Sequence, residues 1–121
     1  MGWVKFATQM PNDIEICALS DASFRLYVAG ICYAQEQLSD GFVPENVVLR
    51  LTQSAKPRHL KELCEQRIPG KPALFTKVDS GYLIRNFTRY NKTAEWWRAE
   101  REAVAERKRR SRDRRRDATS E

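Results

Sequence analysis

Residues 20–41 do more than any other segment to constrain how this chain can fold. Ser20 is a favourable residue for capping the start of a helix, and Gly41 lies where a left-handed stop would end one. Between them, apolar side chains recur at helical spacing: Phe24, Tyr27, Val28, Ile31 and Leu38. The pattern predicts an amphipathic helix over about residues 21–39, which we expect to be the core helix of the fold.

The segments on either side are too short to be stable alone. Residues 1–8 alternate apolar and polar side chains, which predicts a short strand, and Phe42-Val43 is a second strand stub. Pro44 begins a predicted helix through ENVVLRL, residues 53–55 form a polar turn, and Pro57 begins a third helix over about residues 57–67. Helices of about eight to ten residues are marginal in isolation, so both must pack on the core helix.

Two alternating runs, ALFTKV and YLIRNF, follow and are joined by Asp79-Ser80-Gly81, which predicts a β-hairpin with Gly81 at a positive φ. The stub at Phe42-Val43 can add a third strand to it. This order of elements predicts an α+β fold of the winged helix-turn-helix type, with a three-helix core and a β-hairpin wing.

An additional C-terminal helix and a basic tail follow the wing. Residues 91–93 cap AEWWRAEREAVAERKRR, in which Trp96, Trp97 and Val104 are the large apolar side chains. Beyond it, like charges are too dense to order without a ligand. We therefore expect three parts: a winged-helix domain over residues 1–92, a C-terminal helix over 93–110, and a disordered arginine-rich tail over 111–121.

The net charge of +6 is unevenly distributed. Residues 1–49 carry a net charge of −4, residues 50–94 carry +7, residues 95–106 carry −2 and residues 107–121 carry +5. Two basic blocks separated by a short acidic stretch favour an anionic partner, and their placement favours double-stranded DNA.

Other features of the sequence bear on where the protein acts. The longest uncharged run has about ten residues, short of the roughly 18 that a membrane span needs, so no membrane association is expected. The first ten residues have no long apolar run behind a basic segment, so we expect no signal peptide, and the three cysteines form no CxxC pair. We expect a reduced, cytoplasmic protein.

Four motifs carry a resemblance to a known family: WVKF near the start, ICALSDASFRLY at Ile16–Tyr27, DGFVP at Asp40–Pro44, and NFTRYN at Asn86–Asn91. Over about residues 3–95 the chain resembles winged-helix proteins of phages and prophages, related to the N-terminal DNA-binding domains of phage replisome organisers and replication initiators. The resemblance implies DNA binding in replication initiation or transcriptional regulation, in the bacterial host cytoplasm. The chain differs from the sequence pattern of this family at Asn86, where members usually carry an acidic residue.

The sequence contains few residues in patterns that are typical of catalytic sites. His59 is the one histidine, no phosphate-binding glycine loop is present, and no Cys/His set has metal-ligand spacing. We therefore expect no enzymatic activity, no cofactor and no metal.

The expected DNA interface lies on helix 57–67, whose N-terminal residues would enter the major groove. The residues expected to be exposed there and to read bases are Lys56, Arg58, His59 and Lys61, with Arg58 the best candidate for a bidentate contact to guanine. The residues expected to contact phosphate are Thr52, Gln53, Ser54, Arg67, Lys77 and Arg85. The tail would add contacts from Arg107, Lys108, Arg109, Arg110, Arg112, Arg114, Arg115 and Arg116.

Alternatives remain open at this point. The exposed bases of helix 57–67 can also be an ordinary solvated face. The protein can be a protein–protein adaptor that docks a helicase loader or another replisome protein through Trp96 and Trp97. It can also be an RNA-binding protein that binds RNA mainly through its arginine-rich tail. The helix over 93–110 can also form a homodimer.

Overall fold

A computed structural model describes residues 3–91 and 93–119. The chain divides into two units, Met1–Asn91 and Lys92–Glu121. The first unit contains helices α1 (Ile14–Cys17), α2 (Asp21–Gln37), α3 (Pro57–Leu63) and α4 (Phe87–Tyr90), and strands β1 (Phe42–Pro44), β2 (Phe75–Val78) and β3 (Gly81–Ile84). The second contains helix α5 (Ala94–Thr119). The expectation of an α+β fold is confirmed.

Helix α2 forms where the sequence predicts it. The Ser20 hydroxyl accepts a hydrogen bond from the Ser23 N–H (3.3 Å), which caps the first turn. The helix ends at Gln37, two residues earlier than expected, because Leu38, three residues before Gly41, already takes the left-handed conformation (φ 52°). The Ser39 N–H then returns to the Ala34 carbonyl (3.0 Å), a bond typical of such helix ends.

The three strands form one antiparallel sheet in the order β1-β3-β2, so the predicted hairpin and its third strand are confirmed. The turn has two residues, and its positive φ falls at Ser80 (62°) instead of Gly81. Gly81 is required for another reason: a Cβ there would lie 2.6 Å from the Phe42 ring and would clash with the Val43 carbonyl oxygen.

The core lies between α2 and the sheet, as expected for the core helix. Leu26, Leu63 and Phe75 are fully buried in it. At Gly30 the helix comes so close to the sheet that a Cβ would lie 2.9 Å from Cζ of Phe75. The absence of a side chain at this position therefore sets the spacing between the two layers.

Two helix predictions are wrong in extent. Pro44 ends β1, and the predicted helix after it is reduced to a single 3-10 turn, Val48–Arg50. The segment is short and its β-branched residues Val47 and Val48 favour extended backbone, so only the turn that buries Val48 forms. Helix α3 ends at Leu63, its last buried residue, instead of at residue 67.

The predicted N-terminal strand is also wrong. Residues 3–7 have no regular structure, although the Lys5 N–H donates to Oδ1 of Asn91 (2.9 Å). A 3-10 turn (Met10–Asn12) and α1 follow, and the Asp13 carboxylate caps α1 by accepting from the Glu15 N–H (2.9 Å). An alternating run of this length is no strand without a neighbouring strand to pair with.

Helix α5 begins after Thr93, whose hydroxyl accepts a hydrogen bond from the Trp96 N–H (3.1 Å). The cap expected over residues 91–93 is thus supplied by Thr93; Lys92 lies outside the described residues. Residues 111–119, expected to be a disordered tail, continue the helix to Thr119. The reason lies in ion pairs one turn apart, such as Glu106 with Arg110 (3.2 Å) and Asp113 with Arg116 (3.3 Å), which offset the repulsion between the bases.

Candidate functional site

The exposed side of α3 is basic at its N-terminal end. Lys56, Arg58 and Lys61 are exposed there, and Gln53 and Ser54 are exposed in the bend that leads into the helix. These five residues, all predicted to contact DNA, follow one another on one continuous stretch of chain, and we call them the α3 face. No acidic residue occurs in the first turn of α3.

His59 is not part of this face, which corrects the expectation that it is exposed and reads bases. It is only 7% exposed, and its Nδ1 accepts a hydrogen bond from the Lys56 N–H (2.9 Å), so the side chain reaches back to cap its own helix. An accepting Nδ1 leaves the proton of a neutral imidazole on Nε2, so the 3.4 Å approach of Arg58 Nε to Nε2 is no hydrogen bond. Arg58 therefore stays available to a partner.

Glu62 fixes α3 against the start of α2. The Ser20 N–H donates to its Oε1 (2.6 Å), and the hydroxyls of Ser20 (3.1 Å) and Ser23 (2.9 Å) donate to its Oε2. Burial raises the pKa of Glu62, but the hydrogen bonds from Ser20 and Ser23 and the charge of Arg67 together bring that pKa below its usual value. The one acidic residue within α3 lies one turn after Arg58, but its carboxylate is engaged by Ser20, Ser23 and Arg67.

Two of the predicted phosphate contacts are occupied or buried near this cluster. Arg67 lies beyond the end of α3, half-buried, with Nη2 3.6 Å from the Glu62 carboxylate. The Oγ1 atom of Thr52 is buried and has no hydrogen-bond partner among the described residues. The Thr52 hydroxyl is closed off from solvent, and the Arg67 guanidinium lies beside Glu62 with its Nε buried, so neither expectation is supported.

On the wing, Lys77 is exposed but paired. Its Nζ donates to Oε2 of Glu45 (2.7 Å) and lies 5.0 Å from the centre of the Tyr82 ring. The hydrogen bond to Glu45 raises the pKa of Lys77. Burial raises the pKa of Cys64 at the end of α3, and the nearby charge of Lys77 partly opposes that shift. Lys77 remains accessible to a phosphate that can compete with Glu45.

Arg85 has a structural role, which corrects its assignment as a phosphate contact. Its Nη1 and Nη2 donate to the two carboxylate oxygens of Glu15 (3.0 and 2.8 Å), and Nη1 also donates to the Pro72 carbonyl. Glu15 is buried, and the hydrogen bond to it raises the pKa of Arg85. The residue follows the last residue of β3, at the end of the strand away from the hairpin turn, where it joins α1 to the base of the wing.

The eight predicted tail contacts all lie on α5 and are exposed. Arg109 and Arg110 pair with Glu106, Arg107 pairs with Glu100, and Arg116 pairs with Asp113. Within the described part of the chain, Lys108, Arg112 and Arg114 have no acidic partner. The tail is therefore an ordered helix in which only some of the cations are available.

A cleft of ≈ 170 Å³ lies beside the N-terminal segment and is lined mostly by apolar side chains, with polar or charged side chains at Lys5, Gln9, Asp13, Arg85, Asn86 and Asn91. Within residues 3–91 and 93–119, no three His, Cys, Asp or Glu side chains come together as metal ligands would. No helix in that part of the chain is long and apolar enough to cross a membrane.

Three comparisons of this chain, with models of protein families, with curated proteins and with solved structures, found no match.

The residues that the sequence did not reveal are the acidic partners. Glu15, Glu45 and Glu62 meet their basic or hydroxyl partners 70, 32 and 42 residues away, and no local pattern indicates such pairs. The ion pairs of α5 are different, because acids three or four residues before an arginine are visible in the sequence.

Proposed function

We propose that this protein binds double-stranded DNA in a sequence-specific way through a winged helix, with α3 in the major groove and the β2–β3 hairpin as the wing. The resemblance to phage replication initiators favours a role in phage-type replication initiation or transcriptional regulation.

The arrangement of the first unit supports a winged helix. Helix α2, strand β1, the 3-10 turn, α3 and the hairpin follow in the order of that fold. Strand β1 pairs with β3, which leaves the hairpin turn at one end of the sheet. The second helix of the motif is the weakest element, since one 3-10 turn stands in its place.

The observation that carries the proposal is the set of exposed bases on α3, whose one acid is engaged by other side chains. Arg58 and Lys61 are exposed beside a first turn that has no acid, whereas the Glu62 carboxylate accepts hydrogen bonds from Ser20 and Ser23 and pairs with Arg67. A carboxylate that is engaged in this way repels a polyanion less than a free one, and arginine is the side chain best suited to read guanine.

The shortness of α3 limits how much sequence it can read. Seven residues make a helix about 10 Å long, with only Arg58 and Lys61 on its exposed side and Lys56 at its start. Two good base contacts discriminate by about 1–3 kcal/mol each. Affinity beyond that must come from phosphate contacts, to which Lys77 on the wing and those cations of α5 that have no acidic partner among the described residues can contribute.

Substitution of Arg58 tests the proposal. A duplex site is first selected from a random pool, and binding to that site and to a random duplex is then measured by fluorescence anisotropy. Arg58→Ala should lower the ratio of specific to random affinity by about 5- to 150-fold, the loss of one bidentate contact. Arg25→Ala is the matched control, because it removes the same charge from an exposed position on α2 and should leave the ratio unchanged.

Three results would contradict the proposal. Equal loss of affinity for every duplex on Arg58→Ala would remove the base-reading role. No binding to any duplex at low salt would favour a protein–protein adaptor, and clear preference for structured RNA over duplex DNA would favour the RNA-binding alternative.

A further inference from the structure

The acidic residues in the C-terminal part of α5 lie on one stripe. Glu102, Glu106 and Asp113 are separated by four and seven residues, and in a helix of 3.6 residues per turn they fall within about 40° of one another. Glu106 pairs with Arg109 (2.9 Å) and Arg110 (3.2 Å) on its two sides. This acidic stripe therefore neutralises the arginines that flank it.

A second stripe carries cations that have no acidic partner among the described side chains. Arg101, Lys108 and Arg112 are separated by seven and four residues, so they also fall within about 40° of one another, about 120° around the helix from the acidic stripe. All three are exposed. We call them the basic stripe.

The basic stripe is straight and of defined length. Eleven residues separate Arg101 from Arg112, so its ends are about 16 Å apart at 1.5 Å per residue. One strand of duplex DNA presents about five phosphates over that length, at 3.4 Å of helix axis each. Arg98, which also has no acidic partner among the described residues, lies about 60° from the middle of the stripe and widens it on one side.

We propose that α5 binds the phosphate backbone of duplex DNA as a helix, through the basic stripe, and that the arginines flanking the acidic stripe take little part. The inference rests on the proposed function for the choice of duplex DNA, but it concerns the second unit alone. A helix that binds in this way differs from an unstructured cationic tail in one respect. Its affinity for DNA depends on the position of each charge around the helix as well as on the number of charges.

Two double variants of the full chain separate these possibilities, since each removes two positive charges within five residues. Lys108→Gln with Arg112→Gln takes them from the basic stripe, and Arg109→Gln with Arg110→Gln takes them from beside the acidic stripe. Glutamine is a good helix former, and far-UV circular dichroism checks that both variants keep the helix. Binding to a random duplex is measured by anisotropy over a range of salt concentrations.

The slope of log affinity against log salt reports the number of phosphates neutralised, at about 0.9 per contact. The stripe variant should lower that slope by about 1.8, which corresponds to a loss of about 60-fold in affinity at about 0.1 M salt. The control should lower it by less than about 0.5. Ser111→Pro, which keeps every charge but breaks the helix within the stripe, should also weaken binding.

Equal changes of slope in the two double variants would overturn the inference, and so would unchanged binding by Ser111→Pro. If structured RNA displaced the duplex from the unaltered chain but not from the stripe variant, the stripe would belong to RNA, which also overturns it. Failure of the proposed function looks different, because the unaltered chain would then bind no duplex at low salt or show no preference that Arg58→Ala removes.

Discussion

The pair of Glu15 and Arg85 gives the sharpest stability prediction. Glu15 is 3% exposed and Arg85 is 18% exposed, and two hydrogen bonds of 2.8 and 3.0 Å join them. Arg85→Ala leaves a buried carboxylate without its partner, which costs about 3–5 kcal/mol. A domain of this size has about 5–15 kcal/mol of total stability, so the variant loses a large share of it.

The asymmetry of the pair provides the control. Glu15→Gln leaves Arg85 with its bond to the Pro72 carbonyl and partial access to water, so its cost should be smaller, about 1–3 kcal/mol. Replacing both residues, Glu15→Leu with Arg85→Met, should recover part of the loss. Amide hydrogen exchange of Ile84, whose N–H donates to the Gly41 carbonyl (2.9 Å), reports the stability of the first unit separately from α5. A cost below about 1 kcal/mol for Arg85→Ala would refute the reasoning.

Two further predictions concern acidic residues. The pKa of Glu62 is lower in the folded protein than its usual value of 4.5. The ionised carboxylate therefore makes its full contribution to the free energy of unfolding above pH 4.5, and this contribution is lost as the pH falls through the lower pKa of the folded state. Glu62→Gln should therefore flatten the dependence of stability on pH between about pH 5 and about pH 2, measured by urea unfolding; an unchanged profile would exclude this role for Glu62. Glu45→Gln frees Lys77 and should increase affinity for random duplex about eightfold at about 0.1 M salt in the anisotropy assay, the value of one phosphate contact, and an unchanged affinity would show that Lys77 meets no phosphate.

The parts of the fold that the sequence predicted correctly are those specified by neighbouring residues. Ser20 caps α2, apolar side chains mark its buried face, and a turn between two alternating runs specifies the hairpin. The segment after Pro44 has an apolar pattern like that of a helix, but it is too short to form more than one turn. Its conformation is decided by the core that buries Val48, which no local pattern shows.

The candidate site was predicted less well, because exposure depends on distant partners. Arg58 and Lys61 are exposed as expected, but His59, one residue from Arg58, is buried as a helix cap. Arg85 directly follows a predicted strand of the wing, which in sequence suggests an exposed cation. It is part of a buried ion pair because Glu15, 70 residues away in the chain, lies next to it in the fold. In the tail, counting charges suggested disorder, whereas the spacing of Glu106 and Asp113 before arginines favours a helix.

The hydrogen bonds that hold Glu62 have a consequence for any partner that docks on the α3 face. Apolar contacts through Leu60 and Leu63 hold α3 against the core but leave a short helix able to roll about its axis, since such contacts have little directionality. Hydrogen bonds from Ser20 and Ser23 to the Glu62 carboxylate oppose that rotation. The direction in which Arg58 projects is therefore set before a partner arrives, and the entropy that would be lost in aligning the helix on binding is already lost on folding.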